Sequence, residues 1–383
     1  MTARPLLYAD HNATTPLRPV ARAAMLRALE EGGNPSSVHG AGRAARATLE
    51  GAREALAAAL DARPDSVVFT SGATEGLHLA LESARAMGFG PVLVGAAEHD
   101  AVWAYAGVLF PDFETIPVDG DLVPDLDWLA GRLGQLAGQR PLVILQAANN
   151  ETGTIVPVGR AAALVRQHGG ALICDAVQAL GRIDPIGFAG ATDWLVVSSH
   201  KIGGPPGAGA VIAAPGLIVG GPRAGGGQER GARPGTQNVP AIAGFAAAVM
   251  EACSLEAIAA WQALTGPERD AYEAMMLDGM PGARVMGAGA LRLANTSCLA
   301  IPGWEAARQV MALDLEGAAI SAGAACSSGK VKMSRALAAA GHPPDLAASA
   351  IRASFGWTTV VGDGARLASL HLAAARRARR LAA

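Results

Sequence analysis

The chain has 383 residues, of which 51% are hydrophobic and 17% are charged, and its formal net charge is −2. This length allows two domains with buried cores, and the small net charge gives no general reason to expect nucleic acid or a membrane surface as a partner. Because the four cysteines have no paired spacing and the first residues lack a signal peptide, we expect a cytoplasmic enzyme without a disulfide framework or a metal site.

Short apolar runs alternate with helix-like segments in the first two thirds of the chain. In chain order the pattern predicts a helix over 44–60, strands over 66–70, 91–95 and 113–118, a helix over 126–136, a strand over 142–146, a helix over 158–167, and strands over 171–174, 194–198 and 210–213. This alternation favours an α/β fold with a mostly parallel sheet covered on both faces. Beyond residue 252 the pattern changes, which indicates a smaller α+β domain.

Lysine is rare in this sequence, because arginine supplies 28 of the 31 basic side chains and Lys201 is the only lysine before residue 330. Lys201 follows the apolar run 194–198 and precedes two glycines, a context typical of a strand end that delivers an amine into a site. A lysine that forms a Schiff base cannot be replaced by arginine. A solvent-facing lysine is the ordinary alternative, but the rarity and the setting of Lys201 favour a functional role.

Polar residues follow several of the predicted strands, at the edge of the sheet where ligands of parallel sheets bind. The segment 71–74 opens a helix, and its free backbone N–H groups either bind an anion or receive an ordinary helix cap. Asp175 ends a buried strand, where an acid suits a cationic ring nitrogen or a helix cap. A phosphate site, this acid and the amine of Lys201 together are typical of pyridoxal phosphate binding.

Two further residues are candidates for a role in the chemistry because of the residue type and its sequence neighbours. Cys326 lies in the small-residue segment 321–329, where a thiolate can be exposed and reactive, whereas Cys174, Cys253 and Cys298 lie in apolar runs typical of buried, inert thiols. Arg352 is either a fork for a substrate carboxylate or an ordinary surface arginine.

Ten short motifs occur along the chain in one order, and together they carry a resemblance. They are residues 8–16, 33–39, 69–75, 98–99, 148–154, 175–178, 199–201, 225–231, 235–236 and 325–329. In these segments the chain resembles the cysteine desulfurases, which are class-V members of the aminotransferase-like, fold-type-I pyridoxal phosphate enzymes. The short segment around Cys326 is similar to the subgroup of nitrogen-fixation-type and housekeeping desulfurases.

The resemblance implies a role for each matching residue. Lys201 would hold the cofactor as an aldimine, His99 would stack on its ring and Cys326 would take the substrate sulfur. The phosphate would be held by Ala73, Thr74, Ser198 and His200, with Thr236 reaching the cofactor of a neighbouring subunit. The cofactor ring would be bound by Asp175 at its nitrogen, by Gln178 at its hydroxyl and by Asn150, and the substrate carboxylate would be bound by Asn150 and Arg352.

The implied reaction converts L-cysteine into L-alanine and leaves a persulfide on Cys326 for an acceptor protein, either an iron–sulfur scaffold or a tRNA-thiolating enzyme. The implied assembly is a homodimer, with an N-terminal arm over 1–15 packed on the small domain, a large cofactor-binding domain over 16–252 and a small domain over 253–383. Two alternatives are a sister enzyme such as a selenocysteine lyase, a cystine lyase or an aminotransferase, and a cofactor-binding protein without activity. The chain departs from the family at Met333, where proline is usual, and at Ala353, where phenylalanine is common.

Overall fold

The computed structural model describes residues 6–221, 224–323 and 333–382, so that Cys326 lies outside the described residues. The strands are β1 (Leu7–Tyr8), β2 (Val67–Thr70), β3 (Val92–Gly95), β4 (Glu114–Ile116), β5 (Leu142–Gln146), β6 (Ala171–Asp175), β7 (Trp194–Ser198), β8 (Gly209–Ala213), β9 (Arg284–Val285), β10 (Thr296–Ala300), β11 (Ala318–Ala319), β12 (Ser321–Ala322) and β13 (Ala350–Ser354). The helices are α1 (Pro19–Glu31), α2 (Gly40–Ala59), α3 (Ala73–Ala86), α4 (Asp100–Leu109), α5 (Leu126–Gln135), α6 (Val158–Gln167), α7 (Val239–Ala252), α8 (Leu255–Gly279), α9 (Ala306–Leu315), α10 (Arg335–Ala339), α11 (Pro344–Ala348) and α12 (Asp363–Ala382).

The central sheet has the strand order β2-β8-β7-β6-β5-β3-β4. The strands from β7 to β4 in that order run parallel, whereas β8 is antiparallel to both β7 and β2. Alternate residues enter two apolar cores: Val143 and Leu172 pack on one face, and Ile144 and Ile173 pack on the other. This confirms the predicted α/β fold with a mostly parallel sheet covered on both faces.

A third apolar core forms around the later part of the chain. An antiparallel sheet of order β12-β13-β10-β9 packs with residues of α8, α9 and α12, such as Tyr272, Leu313 and Leu367. Leu7 and Ala9 belong to this core, because β1 pairs in parallel with β11. The predicted domain limits at residues 15 and 252 stay predictions.

Helix α2 begins four residues before the predicted start at residue 44. The chain turns into the helix at His39, whose ring nitrogen Nδ1 accepts a hydrogen bond from the Gly42 amide at 3.3 Å. Histidine is outside the usual set of N-cap residues, which is why the pattern gave no sign of this start.

A helix that crosses a bilayer needs about 20 consecutive, mostly apolar residues. Among the residues that the structure describes, no single helix is both long and apolar enough to cross it. The pair α7 and α8, bent by 76° at a short break, meets the criterion only when the two helices are taken together.

Candidate active site

The carboxyl ends of β6 and β7 and the first turn of α3 open into one cavity of about 780 Å³. Ten of the residues predicted for the site line this cavity: Ala73, Thr74, His99, Asn150, Asp175, Gln178, Ser198, His200, Lys201 and Arg352. Thr236 is exposed and does not belong to the described lining of this cavity. Neighbouring parallel strands end at the same edge of a sheet, which explains why residues from distant motifs meet here.

Lys201 reaches the cavity from the short turn that follows β7. Its Nζ donates hydrogen bonds to the backbone carbonyls of Asn12 at 2.6 Å and Ala13 at 2.8 Å. Burial, followed by the positive charges of Arg352 and Arg182, lowers the pKa of Lys201 to about 7. An amine with this pKa is partly neutral at physiological pH, as a nucleophile or a base must be.

Asp175 is the last residue of β6 and is 7% exposed. Its Oδ1 accepts a hydrogen bond from the Val177 amide at 2.9 Å. Burial raises the pKa of Asp175, and that bond together with the charges of His99 and Lys201 opposes the rise. A buried carboxyl of this kind binds a cationic partner well, because the partner's charge favours the ionised form.

The first turn of α3 presents backbone N–H groups to the cavity. Gly72 precedes the helix and supplies no side-chain cap. Strand β8 passes so close that a Cβ on Gly209 would lie 2.8 Å from the carbonyl carbon of Gly72, while Gly72, Ala73 and Thr74 line the cavity. Free N–H groups at a helix N-terminus favour an anion.

His200 and Ser198, which lies two residues before it in the chain, also line the cavity. The ring nitrogen Nδ1 of His200 is 3.1 Å from Oγ1 of Thr14. Burial and the positive charges of Lys201 and Arg182 lower the pKa of His200 to about 4. The ring is therefore neutral near pH 7, and it has one N–H to donate.

Arg352 lies in β13 and is 5% exposed. Its Nη1 donates to the carbonyl oxygen of Asn150 at 2.9 Å, and its Nη2 donates to Oδ1 of Asp10 at 2.9 Å. Its Nε has no hydrogen-bond partner within the described parts of the chain. This planar fork is suited to a carboxylate ligand.

His99 caps helix α4, since its Nδ1 accepts a hydrogen bond from the Ala101 amide at 3.1 Å. Its ring is exposed and lines the cavity. If Nδ1 is the acceptor, the proton of the neutral ring sits on Nε2.

Gln178 is buried between the cavity and a guanidinium behind it. Its Nε2 donates to the carbonyl oxygen of Asn12 at 3.0 Å, and its Oε1 accepts from Arg182. Arg182 also donates to the side-chain oxygen of Asn12 at 2.6 Å and to the carbonyl of Lys201 at 3.2 Å. This guanidinium therefore joins three residues on the lysine side of the cavity.

Several residues that line the cavity were not predicted from the sequence, among them Asn12, Glu98 and Glu151. Glu98 accepts a hydrogen bond from the Gln146 amide at 2.7 Å, and burial raises its pKa well above the usual range. Burial also raises the pKa of Glu151. All three lie inside motifs that we had already identified, so their position beside the predicted residues was the available signal.

The three remaining cysteines, Cys174, Cys253 and Cys298, are buried, as predicted. Burial raises the pKa of each of these thiols, so that none is a ready nucleophile. Within the described ranges, no group of three or more His, Cys, Asp or Glu side chains is placed to hold a metal ion.

Comparison with known proteins agrees with this geometry. A cysteine desulfurase of Cereibacter sphaeroides is 40% identical over 369 residues, which cover 92% of this chain and 92% of that protein. An IscS-like cysteine desulfurase of Mycobacterium tuberculosis is 34% identical over 394 residues, covering 98% of each chain. The X-ray structure of a NifS-like protein from Rickettsia africae ESF-5 matches with a TM-score of 0.86 at 28% identity, over 97% of this chain and 99% of that one.

The fold and the cavity define a pyridoxal phosphate enzyme of the α/β type. The family model for aminotransferase class-V matches residues 7–363, and the chain belongs to that family. The residues present fit the cofactor: a helix N-terminus suits its phosphate, the buried carboxyl of Asp175 suits its ring nitrogen and Lys201 supplies an amine for its aldehyde.

Proposed function

We propose that this protein is a cysteine desulfurase, which converts L-cysteine into L-alanine and transfers the sulfur through Cys326 to an acceptor protein. The single observation that carries the proposal is the amine of Lys201, whose pKa is lowered to about 7 in a cavity that also contains Asp175 and Arg352. The relatives named cysteine desulfurase, at 34% and 40% identity, support the reaction class.

The cofactor and the substrate would be held by separate groups of residues. Ala73 and Thr74 in the first turn of α3, together with Ser198 and His200, would bind the cofactor phosphate. Asp175, Gln178 and His99 would bind the ring through its nitrogen, its hydroxyl and its face. Asn150 and Arg352 would bind the substrate carboxylate.

When bound, the cofactor holds the substrate amine covalently and withdraws electrons from the adjacent carbon. The residues then have separate tasks around that carbon. Neutral Nζ of Lys201 accepts the proton from the substrate Cα, and its low pKa suits this exchange near neutral pH. Asp175 keeps a negative charge at the cofactor ring, and Arg352 restrains the substrate through its carboxylate.

Cys326 would carry out the sulfur transfer. Its thiolate attacks the substrate sulfur, an S–S bond forms as the Cβ–S bond breaks, and the electron pair stays with the substrate carbon. Protonation of that carbon, together with return of a proton from Lys201 to the substrate Cα, completes L-alanine. This assignment rests on the segment 325–329 and on the burial of the three other cysteines.

We extend the proposal to the assembly of the protein. It would be a cytoplasmic homodimer in which Thr236 reaches the cofactor phosphate of the partner subunit, and the exposure of Thr236 supports this. The large domain would comprise residues 16–252 and the small domain residues 253–383, with the segment 1–15 packed on the small domain. The position of Leu7 in the third core, beside the antiparallel sheet, supports this division. The acceptor would be an iron–sulfur scaffold or a tRNA-thiolating enzyme.

Mass spectrometry of the holoenzyme after incubation with L-cysteine tests the function. We expect one added sulfur atom on Cys326 and L-alanine in solution, no such product from Cys326→Ser, and unchanged products from the control Cys253→Ala. Formation of alanine by Cys326→Ser at the wild-type rate would favour a sister lyase or aminotransferase that shares Lys201 and Asp175. If the wild-type protein forms no alanine at all, the proposal is wrong.

A further inference from the structure

Arg352 is held by the carboxylate of a residue from the N-terminal segment, Asp10. Oδ1 of Asp10 accepts a hydrogen bond from Nη2 of Arg352 at 2.9 Å, and the two side chains form an ion pair that is 18% and 6% exposed, respectively. Arg352 lines the cavity, whereas Asp10 is not among the described lining residues. Asp10 therefore lies behind the guanidinium.

Asp10 is itself held from two sides. Its Oδ2 accepts a hydrogen bond from Oγ of Ser321 at 2.8 Å, and its backbone forms a parallel bridge with Ser354. Ser321 in β12 stands opposite Arg352 in the register of β12 and β13. Since both carboxylate oxygens are engaged and the backbone is paired, Asp10 is a fixed anchor rather than a mobile counter-ion.

The anchor determines which N–H groups of Arg352 remain available. Nη2 is engaged by Asp10 and Nη1 by the carbonyl of Asn150, which fixes the plane of the guanidinium. Nε is buried and has no partner in the parts of the chain that the structure describes. A guanidinium has five N–H donors in a rigid fork, so the bonds to Asn150 and Asp10 also fix the directions of the remaining N–H groups of this cavity-lining residue.

We propose that Asp10 is the positioning residue that orients Arg352 toward the carboxylate of an amino acid substrate. This inference rests on the proposed function for the role of Arg352. The opposite possibility is that Asp10 competes with the substrate for the guanidinium, in which case its removal would strengthen carboxylate binding. The engagement of both Asp10 oxygens and the bridge to Ser354 favour positioning.

Two reagents that attack the cofactor aldehyde equally well separate carboxylate recognition from general damage. Aminooxyacetate and methoxyamine both form oximes through an aminooxy group, but only aminooxyacetate has a carboxylate. We expect Asp10→Ala to slow oxime formation with aminooxyacetate by about tenfold or more, which corresponds to one charge-assisted hydrogen bond. Methoxyamine should react within about twofold of the wild-type rate. Absorbance of the holoenzyme follows both reactions.

Two variants serve as comparisons. Asp10→Asn keeps an oxygen that accepts from Nη2, and should restore the aminooxyacetate rate to within about threefold of wild type. Asp112→Ala changes an exposed aspartate on the turn before β4 and should match wild type with both reagents. Unfolding temperatures of the apoproteins report whether the variants fold. If Asp10→Ala does not fold, Asp10→Ser replaces it, because a serine hydroxyl is too short to reach Arg352.

Two results would overturn the inference. An equal slowing of both reagents would show a merely structural effect, and a faster reaction of aminooxyacetate would show that Asp10 competes with the ligand. Because the oxime rates do not depend on sulfur transfer, they also distinguish this failure from that of the proposed function, which shows itself as absence of alanine from L-cysteine.

Discussion

The amine of Lys201 has one property, its protonation, that the sequence alone does not show. Its rarity and its position after a strand were visible in the sequence, whereas its protonation was not. Burial and the charges of Arg352 and Arg182 lower its pKa to about 7, and those two arginines are 151 and 19 residues away along the chain. No local pattern contains that information.

The lowered pKa predicts an unusual pH dependence for the apoprotein. Competitive labelling with acetic anhydride should modify Lys201 in proportion to its neutral fraction, which rises as pH increases through about 7. Free N-acetyl-lysine, with a pKa of about 10.4, is the reference and should gain reactivity only at much higher pH. Mass spectrometry of the labelled peptides gives both profiles.

The same shift has a consequence for stability that can be checked independently. The folded protein binds the Lys201 proton less tightly than the unfolded chain does, so folding is less favourable when Lys201 is protonated. The free energy of unfolding of the apoprotein should therefore rise with pH between about 7 and the pKa of lysine in the unfolded chain, about 10.4. Lys201→Met should lose this part of the pH dependence. A labelling profile of Lys201 that coincides with free N-acetyl-lysine would contradict both expectations.

Helix α3 links the sheet to the anion-binding turn at the element scale. It packs against β7 and β8 at Gly76, where a Cβ would lie 2.8 Å from Cγ1 of Val196 and 3.2 Å from Cγ2 of Val211. The absence of a side chain at Gly76 therefore sets the distance between the helix and the sheet. Any displacement here also moves the first turn, which would hold the cofactor phosphate.

We expect Gly76→Ala to lower the free energy of unfolding by about 1–3 kcal/mol, because the added methyl group overpacks this interface. It should also weaken binding of pyridoxal phosphate to the apoprotein, measured by fluorescence titration. Gly51→Ala is a matched control on α2, where a Cβ would meet nothing within 4 Å. The control should gain up to about 1 kcal/mol from helix propensity. Equal stabilisation by both variants would show that Gly76 is not a close contact.

Most elements between residues 40 and 213 could be predicted from local pattern. Strands β5 and β7 and helix α6 have the predicted bounds, because apolar runs bounded by turn residues define them. The start of α2 was wrong by four residues, since its cap is the unusual His39. The antiparallel direction of β8 was not predicted either, because direction depends on the connection from Lys201 to Gly209 and not on the strand itself.

At the scale of the whole molecule, Asn12 joins the two main parts of the structure. Its side chain donates to Oγ1 of Thr296 at 2.9 Å and to the carbonyl of Asn150 at 3.3 Å. Its Oδ1 accepts from Arg182 at 2.6 Å and from Asn295 at 3.0 Å. The residue is fully buried, so these bonds bring residues beside the central sheet and residues at the antiparallel sheet to one point.

Asn12→Ala should therefore lower the free energy of unfolding by about 3 kcal/mol, because it leaves buried polar groups, including the guanidinium of Arg182, with fewer partners. The midpoint of urea denaturation of the apoprotein measures this. Asn34→Ala is the control, since Asn34 is exposed and its Oδ1 accepts a local bond from the Ser36 amide at 2.9 Å; it should change stability by about 0.5 kcal/mol or less. Similar midpoints for the two variants would show that Asn12 does not join the two parts.

The residues of the site could be predicted more fully than the contacts between them. The motifs indicated Asp175 and Lys201, and Arg352 was a candidate outside them, because each matches a familiar chemical setting. Asn12 lies inside a motif but was given no role, and Arg182 lies outside the motifs, since a buried asparagine or arginine has no periodicity that would single it out. Their partners are as much as 284 residues away, and only the folded chain brings them together.

The ion pair between Asp10 and Arg352 spans 342 residues of sequence, and this has a consequence for how the protein is made. During synthesis Asp10 leaves the ribosome long before β13 does, so the ion pair with Arg352 can form only after β13 has been made. The apolar cores on both faces of the central sheet are complete by residue 253, so they can condense on the nascent chain well before that. A chain that stops short of residue 352 would lack the guanidinium that we propose binds the substrate carboxylate, so this part of the site is completed late in synthesis.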